Sequence, residues 1–150
     1  MTRRVRVRDD DGSILLLTAG LVVVAAMLVA VVAGVSQVFL AKRSLVAATD
    51  AAALAAAQAV DLDAVYSGEV SGAGLPVDPG AADEAVRAYV ALADLDGRTP
   101  GFAVEAVRVD GDTVTVRTRA EVPLVLIGPV TGGRAVVEVA AESSARSQVR

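Results

Sequence analysis

The residues best spaced for chemistry are two aspartate pairs, Asp61/Asp63 and Asp94/Asp96, since carboxylates two positions apart could offer oxygen ligands to Ca²⁺. Neither pair sits in a twelve-residue loop ending in a bidentate glutamate, so both read as solvated loop carboxylates. The single lysine, Lys42, stands beside Arg43 with no serine-x-x-lysine context for hydrolase chemistry. Gly68, Gly72 and Gly74 lack the lysine and the preceding strand of a phosphate-binding loop. Histidine and cysteine are absent, which removes the commonest general base, the thiolate nucleophile, disulfides and most zinc, haem and iron–sulfur ligation. Nucleophile, base and oxyanion site cannot be assembled from what remains. The chain is read as a non-enzyme with no catalytic residue, cofactor or metal, and no small-molecule substrate is identified.

The elements that carry these residues are unusually apolar. The 150 residues are 54% hydrophobic with a mean hydropathy of +0.56, too high for a plain soluble domain. Aromatics make up only 3%, so any core is built from alanine and valine rather than from ring anchors. No charge occurs from Gly12 to Ala41, and the apolar run Ile14 to Leu40 exceeds the ~20 residues a helix needs to cross a bilayer. A signal peptide would have an apolar stretch of roughly 7 to 15 residues and a small-x-small site after it. A buried core helix would need more surrounding apolar mass than this chain has. The segment is therefore read as a transmembrane helix over residues 13–41, after a basic and acidic cytoplasmic tail at 1–12.

Arg3, Arg4, Arg6 and Arg8 precede the span and Lys42 and Arg43 follow it. That bias places the N-terminus inside and the C-terminal domain outside the cytoplasmic membrane. The sequence after Arg43 is acidic and has no arginine stripe with interleaved aromatics, which argues against nucleic-acid binding. Ala26, Ala30 and Gly34 recur every four residues on one face of the span, a spacing that permits close helix approach.

From Lys42 to Val60 there is neither glycine nor proline and alanine dominates, so the helix is expected to continue through residues 42–60. Leu45, Val46, Leu54 and Val60 stand among alanines, with Ser44, Asp50 and Gln58 as polar breaks. A helix apolar nearly all round needs cover on more than one side, from its own domain or from neighbouring subunits. Leu45, Asp50, Ala52 and Leu54 join Ala26, Ala30 and Gly34 as helix-packing candidates.

A Gly-Ser pair opening an apolar span, a basic pair, and the run Leu45-Val46-Ala47-Ala48-Thr49-Asp50-Ala51-Ala52-Ala53-Leu54-Ala55-Ala56-Ala57 together resemble the N-terminal segment of TadE/TadG-like pilus-assembly proteins, over about residues 12 to 61. Leu45, Asp50, Ala51, Ala53, Leu54 and Ala55 hold the pattern. The resemblance implies a membrane-anchored, minor-pilin-like part of a tight-adherence (Flp) pilus or related secretion machine. It brings no catalytic residues. Prepilins of the wider group are cut after a glycine and usually carry glutamate at the fifth mature position; counting from Ser13 that place holds Leu17, so the chain is similar to the uncut TadG-like branch.

Residues 61–80 read as a linker rich in Gly, Pro, Ser and Asp. A small α+β domain is expected over residues 81–147: a helix over Ala82 to Leu95, then three strands in an antiparallel sheet. Val107 and Val109 break the alternation of Phe102, Val104 and Ala106, which signals a bulge or a twisted edge, and Asp110-Gly111-Asp112 signals a hairpin. Val114, Val116, Thr118, Ala120 and Val122 form one strand face, and Ala135, Val137, Val139 and Ala141 another. The rival to pilus assembly is a solitary membrane-anchored module that binds a ligand or an envelope partner. Fusion of alkaline phosphatase and, separately, green fluorescent protein to the C-terminus is expected to give an active phosphatase and a dark fluorescent protein. The opposite pair of results would invert the topology.

Overall fold

The computed structural model describes residues 10–60, 75–124 and 135–147. The arginine cluster, Asp61/Asp63, Gly68, Gly72 and Gly74, most of the linker and the apolar piece after Leu124 lie outside those residues. A 48-residue helix, α1 (Asp10–Ala57), is followed by α2 (Pro79–Leu92), a single turn α3 (Leu95–Arg98), and strands β1 (Ala103–Asp110), β2 (Thr113–Pro123) and β3 (Val136–Arg146). The strands form one antiparallel sheet in the order β1-β2-β3. This is the α+β arrangement expected, a long apolar helix with a small helix and a three-stranded sheet.

At ~1.5 Å per residue α1 is about 72 Å long, more than twice the thickness of a bilayer's hydrocarbon. Its first half projects alone, with Ile14, Leu17, Leu21, Leu28, Val32 and Phe39 all exposed. Its second half forms one wall of the domain core. Ala52, Ala53, Ala56 and Ala57 pack with Val86 and Val90 of α2 and with Val114 and Val116 of β2. Nearer the span, Leu45 packs with Ala120, Val122, Val139 and Ala141, and Val38 and Ala41 lean on that cluster. The short alanine side chains let the sheet come close to the helix axis, so the branched valines of β2 fill the remaining space.

Between the two apolar clusters lies a pair of buried hydroxyls. Thr49 Oγ1 donates to the Leu45 carbonyl at 2.8 Å and stands 2.6 Å from Thr118 Oγ1 of β2. A hydroxyl has one proton, so Thr118 is the donor across the interface. Both residues are at most 1% exposed, and this bond is how the Thr118 hydroxyl is satisfied away from water.

The hairpin turns at Gly111-Asp112. Gly111 holds φ +60° with Asp112 at negative φ, as a type II′ turn requires at its first position. The bulge falls between Val104 and Ala106, one step before the sequence alternation suggested. Glu105 is the extra residue, and it moves Ala106 to the outer face while Val107 and Val109 pair with Val116 and Val114 over the core. Helix α2 begins three residues before the sequence expectation because Asp78 caps it, accepting from the Ala81 N–H at 2.6 Å, with Pro79 at the first helical position. It stops at Leu92 rather than Leu95, and Asp94 then adopts a left-handed φ of 49° that opens α3. Arg87 and Asp83 pair one turn apart on its exposed side.

Thr49→Val leaves the Thr118 hydroxyl buried without a partner and is expected to cost about 1–3 kcal/mol, whereas Thr49→Val with Thr118→Val removes both polar groups and should cost less than the sum of the single changes. Urea unfolding of the detergent-extracted protein, followed by circular dichroism, measures this. Strictly additive losses would show the two hydroxyls are not coupled.

Candidate functional site

Helix α1 beyond the span has two unlike sides. Positions 45, 49, 52, 53 and 56 turn towards the sheet and α2, with Ala53 and Ala56 fully buried. Of the two sources of cover that the sequence left open for residues 45–60, the chain's own sheet and α2 supply it over much of the circumference. The opposite side remains open. Arg43, Val46, Ala47, Asp50, Leu54 and Gln58 are exposed there, following a spacing of three and four residues that keeps them on one face. Leu54 is 56% exposed and Val46 37%.

The helix-packing candidates thus divide. Leu45 and Ala52 are buried in the chain's own core. Asp50 and Leu54 point away from it, and among the described residues Asp50 has no ion-pair partner. In the span Ala26 is exposed, Ala30 half-buried and Gly34 buried. Seven-residue steps from Gly34 to Ala41 and from Leu45 to Ala52 put these small residues on the side that the domain covers higher up. Sequence reasoning missed the division and missed Thr49. The signal was the pattern Leu45, Thr49, Ala52, Ala53 and Ala56, an i, i+4, i+7, i+8, i+11 stripe hidden because its neighbours are alanines too.

A groove of about 240 Å³ runs between α1 and the α3–β1 connection, lined by Ser44, Ala48, Leu95, Arg98 and Phe102, with Glu121 at its edge. Beside it Gly101 holds φ +60°, and a Cβ there would lie 2.6 Å from Glu121 Cγ, so the connection can pass this close to β2 only with glycine. Among the described residues the groove has one cation, Arg98, and one carboxylate, Glu121, and its walls are otherwise mostly apolar. Asp94 stands at the N-cap of α3 and Asp96 lies in its single turn, and among the described residues no group of three or more carboxylates is placed to hold a metal ion.

The outer face of the sheet is polar. Arg117 meets Glu142 at 2.6 Å, Thr115 meets Ser144 at 2.9 Å, and Arg119 stands 3.8 Å from Glu105 and 3.9 Å from Glu138. These solvent-exposed cross-strand pairs contribute little stability individually and keep this face wet.

The first part of α1 is long and apolar enough to cross a membrane. Residues 12–59 match the Tad family model, described as Flp pilus-assembly TadE/G-like. The matched segment is α1 beyond its first turn, together with the residues just after it, in agreement with the resemblance carried by Leu45, Asp50 and Leu54. No curated protein and no solved structure matches the chain. The match and the membrane-length helix together support a membrane protein of pilus assembly, with the α+β domain lying mostly beyond the matched segment.

Ala52→Arg places a guanidinium where 2% of the residue is exposed, and the isolated, detergent-extracted protein is expected to become sensitive to limited proteolysis. Leu54→Asp, on the open side, should leave its digestion pattern unchanged. Equal sensitivity of the two variants would contradict the two-sided character of α1.

Proposed function

We propose that this chain is a non-catalytic, single-pass component of a Tad/Flp-type pilus or related secretion assembly, a minor-pilin-like subunit that acts by packing its long helix against partner subunits. It sits in the cytoplasmic membrane with residues 1–12 inside and the α+β domain outside. The observation that carries this reading is the open side of α1. Val46 and Leu54 continue the exposed apolar surface of the span into the aqueous layer, with Arg43 and Asp50 set among them. Arg43 and Asp50 are seven residues apart, so they lie nearly one above the other, and a parallel partner helix bearing opposite charges at that spacing would find both. Large exposed apolar side chains beside an unpaired charge are the marks of a surface that is covered in use.

Inside the bilayer, Ala26 and Ala30 supply a small-residue face on which a second helix can approach closely, and Gly34 continues that face at the edge of the span. The polar outer face of the sheet, by contrast, carries its charges in cross-strand pairs and is suited to solvent. Nucleic acid and small-molecule substrates have no part in this function. A solitary binding module is the competing account, and it assigns no role to Leu54.

Leu54→Asp and Asp50→Arg are expected to abolish in-cell crosslinks between this protein and its assembly partners, while membrane insertion and protease resistance of the domain persist. A crosslink from Gln58→Cys, on the same side, reads the contact directly. Unchanged crosslinked species in both variants would remove the packing role and leave the solitary module in its place.

A further inference from the structure

The domain is tied to the span at a fixed height, and that height follows from residues already described. Gly34 is the first buried residue along α1. Before it, among the described residues, none from Ser13 to Ala33 is buried, with Ala30 and Ala33 half-buried, and at ~1.5 Å per residue this part is about 32 Å long, against a hydrocarbon core of ≈ 30 Å. The uncharged stretch continues to Ala41, and its surplus is the part that Val38 and Ala41 use to pack against the sheet. A helix whose bare length equals the bilayer leaves no gap between membrane and domain.

The element at that lower edge is the sheet end where β2 finishes and β3 begins. Strand β2 runs from Val114, beside the end of α1, down to Val122 beside Val38 and Leu45, and Pro123 pairs with Val136 beyond it. Leu124 N–H then donates to the Ala135 carbonyl at 2.8 Å. On the outer face of the sheet the β2–β3 partners are Thr113 with Arg146, Thr115 with Ser144, Arg117 with Glu142, Arg119 with Ala140 and Glu121 with Glu138. Each of these has at least one polar side chain. The last partners in the series, Pro123 and Val136, have none, and Val136 is 47% exposed. Among the described residues the polar coat of the sheet thus ends at the edge nearest the span.

We infer that this apolar sheet end, Pro123, Leu124, Ala135 and Val136, rests in the interfacial layer of the same bilayer that α1 crosses, making the domain's lower edge a second membrane contact. The occupant is the lipid surface, because the helix length delivers the edge to that depth and the side chains there change from charged to aliphatic. Lys42 and Arg43, one to two turns above Val38, stand above that edge, within reach of anionic headgroups. The inference rests on reading Ser13–Ala33 as the span, and it holds for either orientation of the chain.

The protein contains no tryptophan, so single-tryptophan variants report one position each. The full-length protein carrying Val136→Trp, Leu124→Trp, Val24→Trp or Leu54→Trp is reconstituted in phosphatidylcholine vesicles with and without acyl-chain-brominated lipid, and fluorescence quenching is read. Far-UV circular dichroism identical to the unmodified protein confirms that each variant is folded. Val24→Trp reports the span itself, and Leu54→Trp stands roughly 30 Å above Gly34 along the helix. The expected result is quenching of Val136→Trp and Leu124→Trp to at least half the extent of Val24→Trp, with Leu54→Trp unquenched. Quenching of Val24→Trp alone overturns the second contact and leaves the span standing. Absence of quenching at Val24→Trp overturns the span and the contact together. Equal quenching at Leu54→Trp would mean the domain lies on the membrane without a defined edge, which overturns the proposal as well.

Discussion

The sheet has one apolar face, and α1 is the main element that covers it. Val114, Val116, Thr118, Ala120 and Val122 are all buried, and the helical residues against them are largely alanines, which have no side chain beyond Cβ to shift or repack. The domain therefore depends on the closeness of this one helix–sheet contact. Burying a valine side chain is worth roughly 1.5–3 kcal/mol, and a three-stranded sheet has few such residues to spend before it ceases to be stable without its helix. The Thr49–Thr118 hydrogen bond sets the alignment within that contact. An apolar alanine–valine interface has little to fix how far the sheet slides along the helix, whereas two buried hydroxyls must meet or go unsatisfied.

That dependence explains why α1 is unbroken. If the span and the core wall were separate helices, the sheet would have to hold the second by itself, and an isolated short helix is marginal in water. Continuity lets the membrane-held half keep the outer half helical. The same continuity explains the open side: a single helix laid against one sheet and flanked by α2 leaves part of its circumference uncovered, and in this chain the uncovered part bears Val46, Asp50 and Leu54.

Much of the architecture was legible in the sequence. The charge-free run from Gly12 to Ala41, the alanine-rich continuation and the strict alternation from Val114 to Val122 each point to one conformation, and local preference agrees with the tertiary outcome there. The irregularity in β1 was legible, because Val107 and Val109 fall out of phase with Val104, but a twisted edge fitted as well as a bulge; only pairing with Thr118 and Arg117 fixed a bulge at Glu105. The cap at Asp78 was hidden because Asp78-Pro79-Gly80 reads equally as a turn. The division of α1 into a covered and an open side was not legible, since alanine serves at a tight contact and at an exposed position alike. Periodicity is informative only when the two faces differ in residue type, and here they differ mainly in what lies opposite.

The absence of any hinge between the span and the core wall makes α1 a rigid shaft. Successive residues are about 100° apart around it, so the bearing of Ala26, Ala30 and Gly34 around the shaft determines the compass direction in which the charged sheet face looks. A neighbour that grips the small-residue face in the bilayer thereby aims the whole outer domain. Inserting one residue between Gly34 and Leu45 would turn the sheet by that same angle relative to the buried grip, whereas seven would return it to nearly its first heading while lifting it about 10 Å. The heading of the sheet is thus a dial set by the grip on the far half of the shaft.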